Sequence, residues 1–168
     1  MSNIVLIGFM GSGKSTIGKE IANKKDMKFI DMDFEIEKLE KKTISEIFKD
    51  YGEIYFREKE TELLKKVLNN ENTVISTGGG IIEKEENREI LRKEENVVWL
   101  YADSEKIMKN IKNEIHKRPK LMEAQNLEKY IDKLLKSRYS KYEEVSNIKV
   151  NTNNKNIDEV MSDILVYI

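Results

Sequence analysis

The stretch Ile4-Val5-Leu6-Ile7-Gly8-Phe9-Met10-Gly11-Ser12-Gly13-Lys14-Ser15-Thr16 decides how the rest of the chain is read. Four consecutive apolar residues bounded by glycine predict a short buried strand. Gly8 to Ser15 then match the phosphate-binding pattern G-x-x-x-x-G-K-[ST] in full. Each part has a physical reason. Glycines let the backbone curl into a nest whose N–H groups converge on phosphate oxygens, where a Cβ would obstruct. The loop feeds a helix that begins near Lys14 and is read over Thr16 to Ala22, adding unpaired N–H groups and the positive end of a dipole. Lys14 supplies a mobile charge to the β- and γ-phosphates, and the Ser15 hydroxyl is placed to ligate Mg²⁺. Gly11, Ser12, Gly13 and Thr16 complete the nucleotide-binding set. The ligand implied is a nucleoside triphosphate.

Working outward, further short apolar runs read as buried strands: Lys28 to Ile30, Thr73 to Ile75, Val97 to Leu100 and, more weakly, Ile148 to Val150. Helical period separates them, clearest in Leu127, Tyr130, Ile131, Leu134 and Leu135 and in Ile157, Val160, Met161, Ile164, Leu165 and Ile168. Thr43-Ile44-Ser45-Glu46 reads as a capping box. Alternating strands and helices predict a mostly parallel five-stranded sheet covered on both faces, a three-layer α/β/α arrangement with ligands at the carboxyl ends of its strands. The single proline, Pro119, sits in the polar stretch Asn113 to Asn126. That stretch reads either as an ordinary surface connection or as a lid.

The bulk properties narrow the function classes. A length of 168 residues fits one domain. The absence of cysteine removes disulfides, thiolate metal sites and cysteine nucleophiles. With 30 basic and 31 acidic residues the formal charge is −1, so nothing pulls the chain toward nucleic acid or an acidic membrane. Ile4 to Ile7 is far too short to span a bilayer and lacks the features of a signal peptide, so a cytoplasmic location is expected.

A phosphate loop alone does not separate kinases from GTPase switches or motor ATPases, but no N-K-x-D base-reading segment is present. Phe29-Ile30-Asp31-Met32-Asp33 places two carboxylates two residues apart, which share a face if the chain is extended. Beside a triphosphate, one could support Mg²⁺ through water and the other accept the proton of an attacking hydroxyl. The same pair suits an acidic N-cap for a helix starting near Phe34, a duty Asp33 could serve. Ser76-Thr77-Gly78-Gly79-Gly80 follows a strand, and three successive glycines permit close approach to main-chain N–H groups. Arginine is scarce: Arg57, Arg88, Arg92, Arg118 and Arg138 are the whole set in a lysine-rich chain. Arg88 and Arg92, four apart on a Glu-rich helix, read as a solvated face, and His116, the single histidine, reads as surface.

The ordered segments GFMGSGKST, FIDMD, GEIYFRE, STGGG, KRPKL and SRYSKYEE resemble the shikimate kinase family over nearly the whole chain. The resemblance implies a P-loop kinase fold in one domain over 1–168, with a substrate-binding helical segment about 33–60 and a mobile lid about 112–125. It implies ATP and Mg²⁺ as cofactors, shikimate as the small-molecule partner, no nucleic-acid or membrane partner, and a monomer. It further implies Asp33 as catalytic base and ring-hydroxyl contact, Asp31 behind Mg²⁺ with Ser15, Arg57 and Arg138 gripping the substrate carboxylate, and Gly79 contacting substrate through its N–H. Arg118 would swing from the lid onto the ATP phosphates and act with Lys14. Bottom-up chemistry agrees, since a planar guanidinium suits a carboxylate better than an ammonium does. Two departures stand out: Lys120 replaces the leucine usual after the lid's Arg-Pro, and Ser140 lies where the family often has proline, with Tyr142 retained. Asn151 to Asn156 is a plausible adenine strip. A gluconate or nucleoside monophosphate kinase and a silent nucleotide-binding module are the alternatives.

Overall fold

The computed structural model describes residues 2–112, 114–115 and 119–168, with the backbone alone at 119 and 120. Five strands form one sheet: β1 (Ile4–Ile7), β2 (Lys28–Asp31), β3 (Thr73–Ser76), β4 (Val97–Tyr101) and β5 (Ile148–Asn151). Their spatial order is β2-β3-β1-β4-β5, and every pairing is parallel. The register sets Ile4 opposite Val74 and Val5 opposite Val97.

Alternation along the strands divides the core into two faces. Val5, Ile7, Ile75, Val97 and Trp99 point to one side. There they meet α2 (Met32–Glu40), α3 (Ile44–Leu68), α4 (Glu85–Leu91) and α7 (Leu127–Val145). Ile4, Leu6, Val74, Val98 and Leu100 point to the other side, against α1 (Lys14–Lys25) and α8 (Ile157–Leu165). A run such as Ile4 to Ile7 is therefore apolar without interruption because both its faces are buried, as parallel sheets demand. A smaller cluster joins Phe9 to α5 (Ser104–Ile111), α6 (Pro119–Met122) and α7 through Ile107, Leu121, Ile131 and Leu135.

Local chemistry fixes the element ends. The capping box at Thr43 forms as read, with Thr43 Oγ1 accepting from Glu46 N and Glu46 Oε2 accepting from Thr43 N. A second, at Asn156 and Glu159, opens α8. Each such cap is worth about 1 kcal/mol. Helix α3 kinks at Gly52, whose φ of 83° breaks the helical run. The carboxyl ends of β1 and β3 are neighbours, yet the chain leaves β1 toward β2 and leaves β3 toward β4, on the opposite side of β1. This divergence opens a crevice above those two strand ends. Among the described residues no helix is long and apolar enough to cross a membrane.

Candidate active site

The crevice floor is the loop from Gly8 to Gly13. Gly13 ends it in a left-handed conformation, φ 93°, and leaves the first turn of α1 without a side-chain cap or an acidic residue. An uncapped, carboxylate-free helix start is what an incoming anion requires. Lys14 is buried and curls back, its Nζ donating to the Gly8 carbonyl at 2.8 Å and the Phe9 carbonyl at 3.0 Å. Asn110 Nδ2 donates to the Gly11 carbonyl at 2.7 Å, tying α5 to the loop.

The acidic pair is arranged differently from the extended reading. Helix α2 starts at Met32, so Asp31 is its N-cap, accepting from Phe34 N at 3.2 Å, while Asp33 lies in the first turn. The cap is thus Asp31 and not Asp33. Met32 is fully buried and continues the apolar side of the strand into the helix, which begins two residues earlier than read. Ser15 Oγ donates to Asp31 Oδ2 and lies 3.4 Å from Ser76 Oγ. Among the described residues no group of three or more His, Cys, Asp or Glu could cage a metal. A hydroxyl and a carboxylate beside a phosphate nest instead suit Mg²⁺, a hard cation that keeps waters and phosphate oxygens as its other ligands.

Two cavities meet over the crevice. One, of about 240 Å³, is lined by Lys14, Ser15, Thr16, Asp31 and Thr77. The other, of about 270 Å³, is lined by Phe48, Phe56, Arg57, Glu60, Gly80 and Arg138. Met10, Asp33, Gly79 and Glu114 border both. The triple-glycine turn is the wall between α3 and the phosphate loop, and it has no spare room. A Cβ on Gly79 would lie 2.9 Å from Met10 N, and one on Gly80 would lie 2.5 Å from Arg57 Nη1.

Arg57 reaches the cavity from α3 and Arg138 from α7. Arg57 donates to Glu60 through Nη1 and sits 3.4 Å from Glu53, with its Cζ 5.3 Å from the Phe56 ring centroid. Burial works most strongly against its charge, but Glu60 and Glu53 together hold the guanidinium above its ordinary value. Arg138 donates to Glu83 Oε1 at 3.2 Å and to the Gly79 carbonyl at 3.4 Å, over the ring of Phe9. The Gly79 carbonyl also accepts from Tyr142 Oη at 2.5 Å. Burial pushes the Tyr142 phenol up, so it stays a donor.

Glu60 is the group that the sequence reading missed. It is fully buried, and burial pushes its carboxyl up to about 7, against the pull of Arg57. In the run Arg57-Glu58-Lys59-Glu60 nothing distinguishes it from solvated neighbours except its place three residues after an arginine. Arg88 also departs from the solvated-face reading. Its side chain is only 13% exposed, donates to the carbonyls of Ile82 and Glu83, and with Arg92 ties α4 to Glu144 on α7. The polar strip is tied inward as well, with Thr152 donating to the Tyr101 carbonyl and Asn153 Oδ1 accepting from Asp103 N. Arg118 and His116 lie outside the described residues, as does part of the stretch read as a lid.

Asp33, Arg57, Gly79 and Arg138, scattered in sequence, therefore face one cavity beside the phosphate loop. Comparison with known proteins gives this arrangement a family. The shikimate kinase family model matches residues 10–168. The shikimate kinase of Alkaliphilus oremlandii is 43% identical over 166 residues, covering 98% of both chains. In structure, the chain resembles a shikimate kinase from Acinetobacter baumannii in complex with shikimate, with a TM-score of 0.92 and 36% identity over 98% of this chain and 91% of that one. A gluconokinase from Sinorhizobium meliloti, 18% identical with a TM-score of 0.58 over 98% of this chain and 90% of that one, shares the fold alone. The chain belongs to the shikimate kinase family, ATP-dependent kinases built on the P-loop fold.

Proposed function

We propose that the chain transfers the γ-phosphoryl group of ATP to the 3-hydroxyl of shikimate, with Asp33 as the base and Arg57 and Arg138 holding the substrate carboxylate. The observation that carries this reading is the shared border of the two cavities, where Asp33 and Gly79 face the phosphate side and the arginine side together. An acceptor gripped by its carboxylate on the arginine side presents its hydroxyls toward Asp33 and the γ-phosphate. Asp33 takes the hydroxyl proton as the new O–P bond forms, the bond from the γ-phosphorus to the bridging oxygen breaks, and ADP leaves with that oxygen. Gly79 N–H orients the ring. Gly11, Ser12, Gly13 and Thr16 hold the phosphates through the loop and first turn, and Lys14 exchanges its two carbonyl partners for phosphate oxygens. Ser15, with Asp31 through water, would hold Mg²⁺, whose charge neutralises the phosphate oxygens. Arg118 is assigned to the phosphates from a lid over about 112–125, and the segment about 33–60 to substrate binding. The need for ATP supports a cytoplasmic setting, and the chain is assigned there as a monomer.

The test is ADP release with Mg·ATP and a panel of shikimate, gluconate, AMP and CMP, with the product identified by phosphorus NMR. Rapid turnover of shikimate alone is expected. Turnover of any other member with none for shikimate would overturn the assignment.

A further inference from the structure

Glu60 stands apart from the other acidic groups of the site. It is fully buried at the base of the cavity, pairs through one oxygen with Arg57, and its Oε2 has no hydrogen-bond partner among the described residues. That oxygen faces the turn from which Asp33 is also approached. A Cβ placed on Gly78 would lie 2.6 Å from Glu60 Oε2 and 2.9 Å from Asp33 Oδ1. Facing Glu60 are Arg57 from α3, Asp33 from α2 and Arg138 from α7. Glu53 and Glu83 pair with the two guanidiniums, and among the described residues Glu37, Glu114, Tyr130 and Tyr142 are the other ionisable groups around the cavity. The cation that keeps Glu60 ionised is thus the one that the proposed substrate needs.

The geometry points to a coupled event: docking of the substrate carboxylate on Arg57 brings uptake of one solvent proton onto Glu60. Glu60 is a positioning residue that acts through the guanidinium. The inference rests on the shikimate reading of the site. An incoming carboxylate adds a negative charge close to a desolvated one and draws on the charge of the same guanidinium, and both effects favour the neutral acid. Among the described residues two largely buried guanidiniums line the cavity, Arg57 and Arg138, and Glu53 and Glu83 already pair with them; without the proton, Glu60 and the substrate carboxylate would both draw on the charge of Arg57. Protonation of Glu60 removes a negative charge that faces Asp33, which favours the ionised state that a base requires. Burial already holds the Glu60 carboxyl at about 7 before substrate arrives, so a modest further rise moves it across neutral pH.

The sign follows from linkage. A group whose affinity for protons rises on binding makes the ligand bind less tightly as pH climbs through the window between its free and bound values. That window opens at about 7 and extends upward. The experiment is calorimetric titration of the nucleotide-free protein with shikimate in buffers of different ionisation enthalpy, repeated from about pH 6 to about pH 9. We expect uptake of a large fraction of one proton just above neutrality, little at the acid end, and a dissociation constant rising by up to about tenfold per pH unit within the window. Glu60→Gln should abolish the uptake and flatten the pH dependence, whereas any contribution from His116 would persist in that variant. Shikimate binding by the unaltered protein without proton uptake anywhere in the range overturns the inference, whether or not the variant folds. So does undiminished uptake in Glu60→Gln. Failure of the unaltered protein to bind shikimate at all overturns the substrate reading and this inference with it.

Discussion

Replacement of Arg57 by lysine keeps the positive charge and removes the fork. Arg57 is 14% exposed, spends Nη1 on Glu60, and lies 3.4 Å from the more exposed Glu53 through Nη2. Its Nε is buried with no hydrogen-bond partner among the described residues. A guanidinium has five donors, so it can hold Glu60 and still present a second edge to an incoming carboxylate. Lysine offers one nitrogen on a shorter reach and cannot hold the same two groups in the same plane. The loss is one charge-assisted hydrogen bond, about 1.5–3 kcal/mol, or about 10- to 150-fold in kcat/KM. It should fall mainly on KM for shikimate, because the carboxylate does not react and binds alike in ground and transition states. The assay is steady-state ADP release with shikimate varied at saturating Mg·ATP, with KM for ATP and a melting curve as controls. A shikimate KM within twofold of the original, in a variant with unchanged melting, would refute the assignment of Arg57 to the carboxylate.

Two other substitutions separate chemistry from shape. Asp33→Asn should lower kcat by about 10²- to 10⁴-fold, with nucleotide affinity preserved in a fluorescent-ATP titration; loss of less than tenfold would remove Asp33 as base. Gly79→Ala forces a methyl to within 2.9 Å of Met10 N, a backbone atom that cannot swing aside. It should cost about 1–3 kcal/mol, read as a fall of about 2–4 °C in Tm per kcal/mol, together with lost activity. An unaltered Tm and full turnover would show that the turn has slack.

The legibility of this molecule in its sequence varied with how local each cause was. β1 and the phosphate loop could be read residue by residue, because strand burial, nest and helix start are all set within Ile4 to Thr16. The sequence reading places all five strands to within a residue of their ends; in β1, β3 and β4 two buried faces leave a nearly uninterrupted apolar run, whereas the edge strands β2 and β5 carry only short apolar pairs or alternation. The start of α2 was misplaced because Asp31 and Asp33 are equally good caps on paper. Burial of Met32 against the sheet breaks that tie, and burial is not local. Arg88 looked like a surface cation because its partners, the Ile82 and Glu83 carbonyls and Glu144, are fixed by the packing of α4 on α7. Glu60 escaped notice for the same reason. A buried acid in the run REKE cannot be told from an exposed one until the helix is rotated against the sheet.

The triple-glycine turn has a meaning for inhibitor escape. Every other amino acid brings a Cβ, and at Gly78, Gly79 and Gly80 that atom meets in turn a carboxylate, a main-chain nitrogen and a guanidinium. No single codon change can therefore push this wall toward a bound compound without disturbing a group that turnover depends on. A tight-binding competitor built to press against the turn would leave resistance to arise from the facing side chains, where Phe48 and Leu134 can be exchanged for other apolar residues.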